Sequence, residues 1–282
     1  MIVSGSSSQS LAAALAAATD ADLAPVSFER FPDGELMAQV PYFDSESAVI
    51  VASTDTSDAH VELLQLQDAV REAGASDITT VIPYMGYARQ DAAFEPGQPV
   101  SARAMAKALS TGTDRVLTVN PHEPAIVDHF DVPAETVDAA ACLADPLPED
   151  LAEPVFLSPD EGAIDIADTV KTAYGRGETD YFEKTRLSGS EVEIEPRDAD
   201  VDGRDVVLTD DIVATGSTMS EAVGALDDMG AARIFVTCVH PMLAADARTK
   251  LARAGVEAIY GTDTLERSVS AVSAAPAIAE KL

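Results

Sequence analysis

The chain has no tryptophan, two cysteines and only 18 lysine and arginine residues among 282. Cys142 and Cys238 sit at no metal-ligand spacing, which excludes a zinc module and a disulfide framework and suits a reducing compartment. No basic run exists that could release counterions from a polyanion, so nucleic-acid binding is excluded. No apolar run is long enough to span a membrane. The N-terminus lacks the cationic start of a secretory leader, and its alanine-rich stretch, Leu11 to Ala18, reads as a helix after a short strand. A cytoplasmic protein with neither nucleic acid nor membrane as partner is expected.

What the chain has instead is acid: 49 aspartates and glutamates, for a net charge of −31. They are scattered rather than gathered into a tail, on a chain that is 46% hydrophobic, so the pattern is that of a folded core with an acidic shell. Such a shell repels itself in dilute buffer. At molar salt the Debye length shrinks to about 3 Å and most of that penalty disappears. The composition therefore predicts a halophilic protein suited to a salt-accumulating cytoplasm. Anionic ligands must meet a local basic cluster inside this shell.

A chain of 282 residues is longer than one ordinary core serves, which predicts two domains. Apolar runs predict strands at Ala48 to Ala52, Ile78 to Pro83, Arg115 to Val119, Pro154 to Ser158, Val206 to Thr209, Arg233 to Val239 and Ala258 to Tyr260. Helical patterns fall at Ala59 to Ala73, Ser101 to Ser110, Gly162 to Tyr174, Ser220 to Met229 and Ala244 to Ala254. This alternation predicts an α/β fold with parallel sheets and crossover helices. A proline- and acid-rich stretch, Asp145 to Pro154, marks the boundary between the halves.

The most informative segment is VVLTDDIVATGSTM, Val206 to Met219. Four β-favouring residues lead into Asp210 and Asp211, then through a small-residue turn, Ala214, Thr215, Gly216, Ser217 and Thr218, into a helix. Backbone N–H groups and the positive end of the helix dipole converge there, which suits a phosphate. The two carboxylates at the strand's C-terminal end suit the vicinal hydroxyls of a sugar or a divalent cation. The segment thus predicts a phosphorylated sugar as ligand, against the plainer possibility of a turn with two solvated aspartates.

Five further segments carry chemistry. FERFPDGE, Phe28 to Glu35, is either a hairpin tip or a nucleotide contact: Phe31 could stack on a base, Asp33 and Glu35 could accept from an amine, and Gly34 lets backbone approach. PYMGYARQD, Pro83 to Asp91, puts Arg89 and Gln90 just after a strand, ahead of a loop rich in glycine and proline. His122 follows another strand, and Asp160 of SPDEG stands in a comparable place. Together they could bind a divalent cation, although magnesium prefers oxygen ligands and keeps its waters. In FEKTRLSG, Lys184 and Arg186 share one face of an extended segment, where two cations suit a transferring phosphoryl or diphosphoryl group.

The DDIVATGST segment resembles the phosphoribosyl-binding motif of type I phosphoribosyltransferases. Taken in order over nearly the whole chain, FPDGE, PYMGYARQD, the histidine stretch, SPDEG, KTR and DDIVATGST resemble the ribose-phosphate diphosphokinase family, and the PGQPVS loop and short chain look most like its archaeal branch. The resemblance implies two type I phosphoribosyltransferase-like domains, Met1 to Ala144 on the ATP side and Asp145 to Arg267 on the ribose 5-phosphate side. Residues 268–282 would form a C-terminal helix packing on the first domain.

The implied reaction moves the β,γ-diphosphoryl group of ATP to the 1-hydroxyl of ribose 5-phosphate, for nucleotide biosynthesis. Phe31, Asp33, Gly34, Glu35, Arg89 and Gln90 would bind ATP, partly from a neighbouring subunit, making a homo-oligomer of at least two chains. His122 and Asp160 would bind Mg2+. Lys184 and Arg186 would be catalytic, with Arg186 also touching ribose 5-phosphate alongside Asp210, Asp211 and Ala214 to Thr218. Many family members carry an acid where Ala214 stands, which removes one possible sugar or metal contact but leaves the backbone N–H groups for phosphate. Two alternatives stand beside this reading: a phosphoribosyltransferase that consumes a base, for which FPDGE, YARQD and KTR would have no purpose, and a regulatory subunit without activity.

Overall fold

The structure, a computed structural model, describes residues 1–188 and 191–282, with side chains described outside 184–195. The chain divides into two compact units. The first comprises Met1–Ala139, Asp263–Glu266 and Ser273–Leu282; the second comprises Ala140–Thr262 and Arg267–Val272.

In the first unit the order is β1 (Ile2–Ser4), α1 (Gln9–Thr19), β2 (Ser27–Arg30), β3 (Leu36–Gln39), β4 (Ser47–Val51), α2 (Ser57–Glu72), β5 (Asp77–Ile82), α3 (Ser101–Leu109), β6 (Arg115–Val119) and β7 (Ala134–Val137). Strands β1, β4, β5, β6 and β7 form a parallel sheet in that spatial order. Helix α2 shows why it forms where it does. The Thr56 hydroxyl caps its start by accepting from Ala59 N, Asp58 lies in the first turn and Arg71 in the last, each matching the sign of the helix dipole. Its Leu63, Leu66 and Val70 are fully buried beside Ile50, Ile78 and Val116 of the sheet. Strands β2 and β3 form a separate antiparallel hairpin, and every residue of β2 is exposed.

The second unit runs β8 (Val155–Ser158), α4 (Ile164–Tyr174), β9 (Glu178–Ser188), β10 (Glu191–Pro196), β11 (Asp205–Ile212), α5 (Ser217–Asp228), β12 (Arg233–His240), α6 (Ala247–Arg253), β13 (Ala258–Thr262) and β14 (Ser270–Val272). Its sheet has the order β10-β9-β8-β11-β12-β13-β14, parallel throughout except for the β9–β10 pair. The runs VVLT in β11 and IFVTCV in β12 are buried end to end, as strands covered on both faces must be. Val155, Val206, Val223, Leu226, Val236 and Leu251 belong to its core. A 3-10 turn, Ala140–Ala144, packs on α4 with Leu143 fully buried.

The two α/β units with mainly parallel sheets agree with the fold class read from the sequence. Several elements differ in detail. Strand β11 continues through Asp210 and Asp211 to Ile212, because pairing with β12 persists to Ile212↔His240. Helix α5 begins at Ser217, since Gly216 caps it. The C-terminal stretch contains β14 and then a short helix, α7 (Ala275–Ala279), which packs on α1 in the first unit. No helix among the described residues is long and apolar enough to cross a membrane.

Candidate active site

The order of strands in the second unit locates its ligand end. From β8 the chain crosses by α4 to β9 on one side; from β11 it crosses by α5 to β12 on the other. The winding reverses between β8 and β11, and parallel α/β sheets bind ligands in the crevice at such a reversal, beyond the carboxyl ends of the strands. Asp160 follows β8, and Asp210 and Asp211 end β11, at that point. The Ser158 hydroxyl donates to the carbonyl of Asp160 at 2.6 Å, and the Asp160 carboxylate accepts from Gly162 N at 3.0 Å. Asp210 accepts from the backbone N–H of Asp211 at 2.9 Å. Burial of the Asp210 carboxyl, then the charges of Asp211 and Asp160, push its pKa well above the usual carboxylate range. A cation would relieve that repulsion.

The small-residue loop lies immediately after. Gly216 has φ +70° and caps α5, so the first N–H groups of the helix, which lack intrahelical acceptors, face the loop. Thr215, Ser217 and Thr218 are exposed and Ala214 is half-buried. Neighbouring chain pins the loop from behind: Leu243 N donates to Val213 O and Ala244 N to Ala214 O, each at 2.9 Å. The ammonium of Lys250 donates to Thr215 O and to Ser217 Oγ, each at 3.1 Å. Sequence reasoning passed over Lys250, because a lysine in TKLARAG looks like any exposed helical lysine. The one available signal is its rarity in so acidic a chain.

Lys184 and Arg186 belong to β9, where they face Ile194 and Val192 of β10 in register. They are two residues apart in the strand, and their side chains lie outside the described residues.

The first unit gathers a different set at the carboxyl ends of β4, β5 and β6. Gly86 N donates to Thr54 Oγ1 at 3.0 Å. A Cβ on Gly86 would lie 2.0 Å from the Thr54 carbonyl oxygen, so only glycine fits there. The next residue, Tyr87, has φ +63° and shares a hydrogen bond of 2.9 Å with Ser57 Oγ. This turn presents Arg89 to solvent. Gln90 is tied back, its amide oxygen accepting from the Ser101 hydroxyl at 2.7 Å and its carbonyl from Ala102 N at 3.1 Å. Beneath Tyr87 lies His60, 6% exposed, with ring centroids 5.4 Å apart.

His122 is exposed beyond β6. Before it, Asn120 adopts φ +32° and bridges to Asp138 Oδ1 at 2.7 Å and Ala139 N at 2.8 Å. The FPDGE segment is the loop of the β2–β3 hairpin, closed by Phe31 N to Glu35 O at 2.8 Å and Gly34 N to Phe31 O at 2.9 Å. Asp33 Oδ1 accepts from Glu35 N at 3.1 Å. Phe31, Asp33, Gly34 and Glu35 are all exposed, and Arg30 anchors the tip through an ion pair with Asp58 and a 2.6 Å hydrogen bond to Gly34 O.

His122 therefore lies in the first unit and Asp160 in the second. Among the described residues no three histidine, cysteine or acidic side chains are grouped to hold a metal ion. Magnesium takes one or two carboxylates and completes its shell with water and substrate phosphates. Asp160, Asp210 and Asp211 supply oxygen donors of the right kind.

Comparison with known proteins agrees with this division. Residues 1–112 match the model for the N-terminal domain of ribose phosphate pyrophosphokinase, and residues 139–266 match the phosphoribosyl transferase domain. A ribose-phosphate pyrophosphokinase of Halobacterium salinarum is 68% identical over the whole of both chains. That of Methanosarcina mazei is 45% identical, covering 100% of this chain and 94% of its own. The crystal structure of phosphoribosylpyrophosphate synthetase from Mycobacterium smegmatis superposes with a TM-score of 0.83 at 28% identity, covering 100% of this chain and 96% of that one. The chain belongs to the ribose-phosphate pyrophosphokinase family.

Proposed function

We propose that the protein transfers the diphosphoryl group of ATP to the 1-hydroxyl of ribose 5-phosphate, giving 5-phosphoribosyl 1-pyrophosphate and AMP. The observation that carries this reading is the position of the acidic pair and small-residue loop at the winding reversal of the second sheet. A sugar phosphate fits there, with its 5-phosphate on Ala214 to Thr218 and its hydroxyls on Asp210 and Asp211. The YARQD turn and the FPDGE hairpin of the first unit would take ATP through Arg89, Gln90, Phe31, Asp33, Gly34 and Glu35. The exposure of β2 and of the hairpin tip suits a contribution to a second chain's site, hence a homo-oligomer of at least two.

In the reaction the 1-hydroxyl oxygen bonds to the β-phosphorus as the bond from that phosphorus to the α,β-bridging oxygen breaks. AMP leaves with that oxygen, and the hydroxyl proton passes to solvent. The protein's work is alignment and charge neutralisation. Asp210 and Asp211 fix the sugar so that O1 points in line. Lys184 and Arg186 would meet the negative charge that grows on the transferring group and the leaving phosphate. His122 and Asp160 would hold Mg2+, which when bound offsets the phosphate charge of ATP.

A label placed on the γ-phosphorus of ATP tests the reading. It should move intact with the β-phosphorus into an acid-labile sugar phosphate, only when ribose 5-phosphate and magnesium are both present. Label appearing as free phosphate, or requiring a nucleobase, would overturn it.

A further inference from the structure

Lys250 stands on α6, and its ammonium joins that helix to the phosphate loop through the Thr215 carbonyl and the Ser217 hydroxyl, each at 3.1 Å. The rest of the contact is built to bring helix and loop together. Gly216 packs closely against Ala247 of α6, since an added Cβ would lie 3.3 Å from both the Cβ and the carbonyl oxygen of Ala247. The segment between β12 and α6 bends through Leu243 at φ +45° and Ala245 at φ +53°. Left-handed backbone at two non-glycine residues is strained, so surrounding structure must hold it. That bend brings Leu243 N and Ala244 N onto the carbonyls of Val213 and Ala214.

We infer that Lys250 is a positioning residue for the 5-phosphate of the sugar substrate. It fixes Thr215 and Ser217 so that the loop's N–H and hydroxyl groups converge, and it places one positive charge beside the bound phosphate. This rests on the reading of Ala214 to Thr218 as the phosphate loop. The electrostatic need is plain. The loop lies beside Asp210 and Asp211 in a chain of net charge −31. Asp246 lies 3.7 Å from the ammonium of Lys250, and its side chain is 72% exposed, so water and salt screen it. Lysine suits the role because it serves phosphate as a compact point charge with three donors. In molar salt, attraction beyond about 3 Å is screened, whereas a charge held in hydrogen-bond contact with the loop keeps its effect.

Calorimetric titration of ribose 5-phosphate into the wild-type chain, K250M, K250Q and K250R in molar KCl tests this without depending on turnover. The expected result is about tenfold weaker binding in K250M, an intermediate loss in K250Q, and partial recovery in K250R. The KM for ATP should stay within about twofold in all three. Equal affinity in wild type and K250M overturns the inference. So does a KM for ATP that rises in step, since Lys250 would then be supporting the unit as a whole. Should K250M fail to fold, wild-type affinity in K250Q overturns the role of the charge. Wild-type chain that binds ribose 5-phosphate but makes no AMP contradicts the proposed reaction and leaves Lys250 standing; active wild type with an unaffected K250M does the reverse.

Discussion

Gly216 packs closely against Ala247: it has φ +70°, and a Cβ added to it would lie 3.3 Å from that alanine. Two costs therefore meet in a Gly216→Ala substitution, left-handed backbone at a side-chain-bearing residue and a tight contact that loop or helix must relieve. The loop should shift rather than the core unfold. KM for ribose 5-phosphate is expected to rise about tenfold, equivalent to about 1.4 kcal/mol, with KM for ATP unchanged. Steady-state kinetics with each substrate varied in turn checks it; an unaltered KM for the sugar phosphate contradicts the loop's assignment.

Lys184→Ala is expected to lower kcat by about 10²- to 10³-fold, the usual cost of removing one donor from a developing charge. KM values should move little, because the charge it meets grows only as the reaction proceeds. A raised KM at unchanged kcat would assign Lys184 to ground-state binding instead.

His60 gives the first unit a pH dependence. Neither ring nitrogen has a hydrogen-bond partner among the described residues, and burial pushes its pKa below the usual value. The unfolded chain therefore takes up this proton first as pH falls below about 6.5, and stability is lost between there and the lowered folded value. Above that window both states are neutral and the contribution is flat. His60→Leu removes the slope and two unsatisfied buried nitrogens, so it is expected to stabilise the fold by about 1 kcal/mol at neutral pH and by more at pH 5. Denaturant unfolding at pH 5 and pH 8 reads both. A large loss of stability in the variant would show that the ring's contact with Tyr87 outweighs its stranded nitrogens.

Salt should separate the shell from the interior. The net charge of −31 predicts an unfolding midpoint that rises steeply from dilute buffer to molar KCl. The Arg233–Asp205 pair is different. Arg233 Nε and its terminal nitrogen donate to the two carboxylate oxygens at 3.0 and 2.6 Å, and the Asp205 side chain is 1% exposed. Burial alone would raise the Asp205 pKa, yet the Arg233 hydrogen bonds hold it below the ordinary range. Asp205→Asn is expected to cost about 1–3 kcal/mol with little dependence on salt. A midpoint indifferent to KCl would contradict the halophilic reading.

Much of this was legible in the sequence. Apolar runs such as IFVTCV marked strands closely, because a strand buried on both faces needs no polar alternation. Where acids alternate with apolar residues the signal was missed: EVEIEP is β10, a strand absent from those expected, because its period-two pattern contains no continuous apolar run. The acidic pair was placed after its strand although pairing with β12 carries β11 through it; local composition does not report how far a partner strand extends. Gly216 and its neighbours were legible as a loop because small residues before a helix have one obvious geometry. Lys250 was not, because its meaning comes from the bend at Leu243 and Ala245 that returns α6 to the loop. Local sequence does not encode that return.

Phosphorus NMR of the protein in molar KCl with ATP, magnesium and ribose 5-phosphate tests the central claim most directly. Diphosphoryl transfer predicts AMP and a sugar phosphate carrying diphosphate at C1, appearing in equal amounts as ATP disappears. ADP with a singly phosphorylated C1 would contradict it.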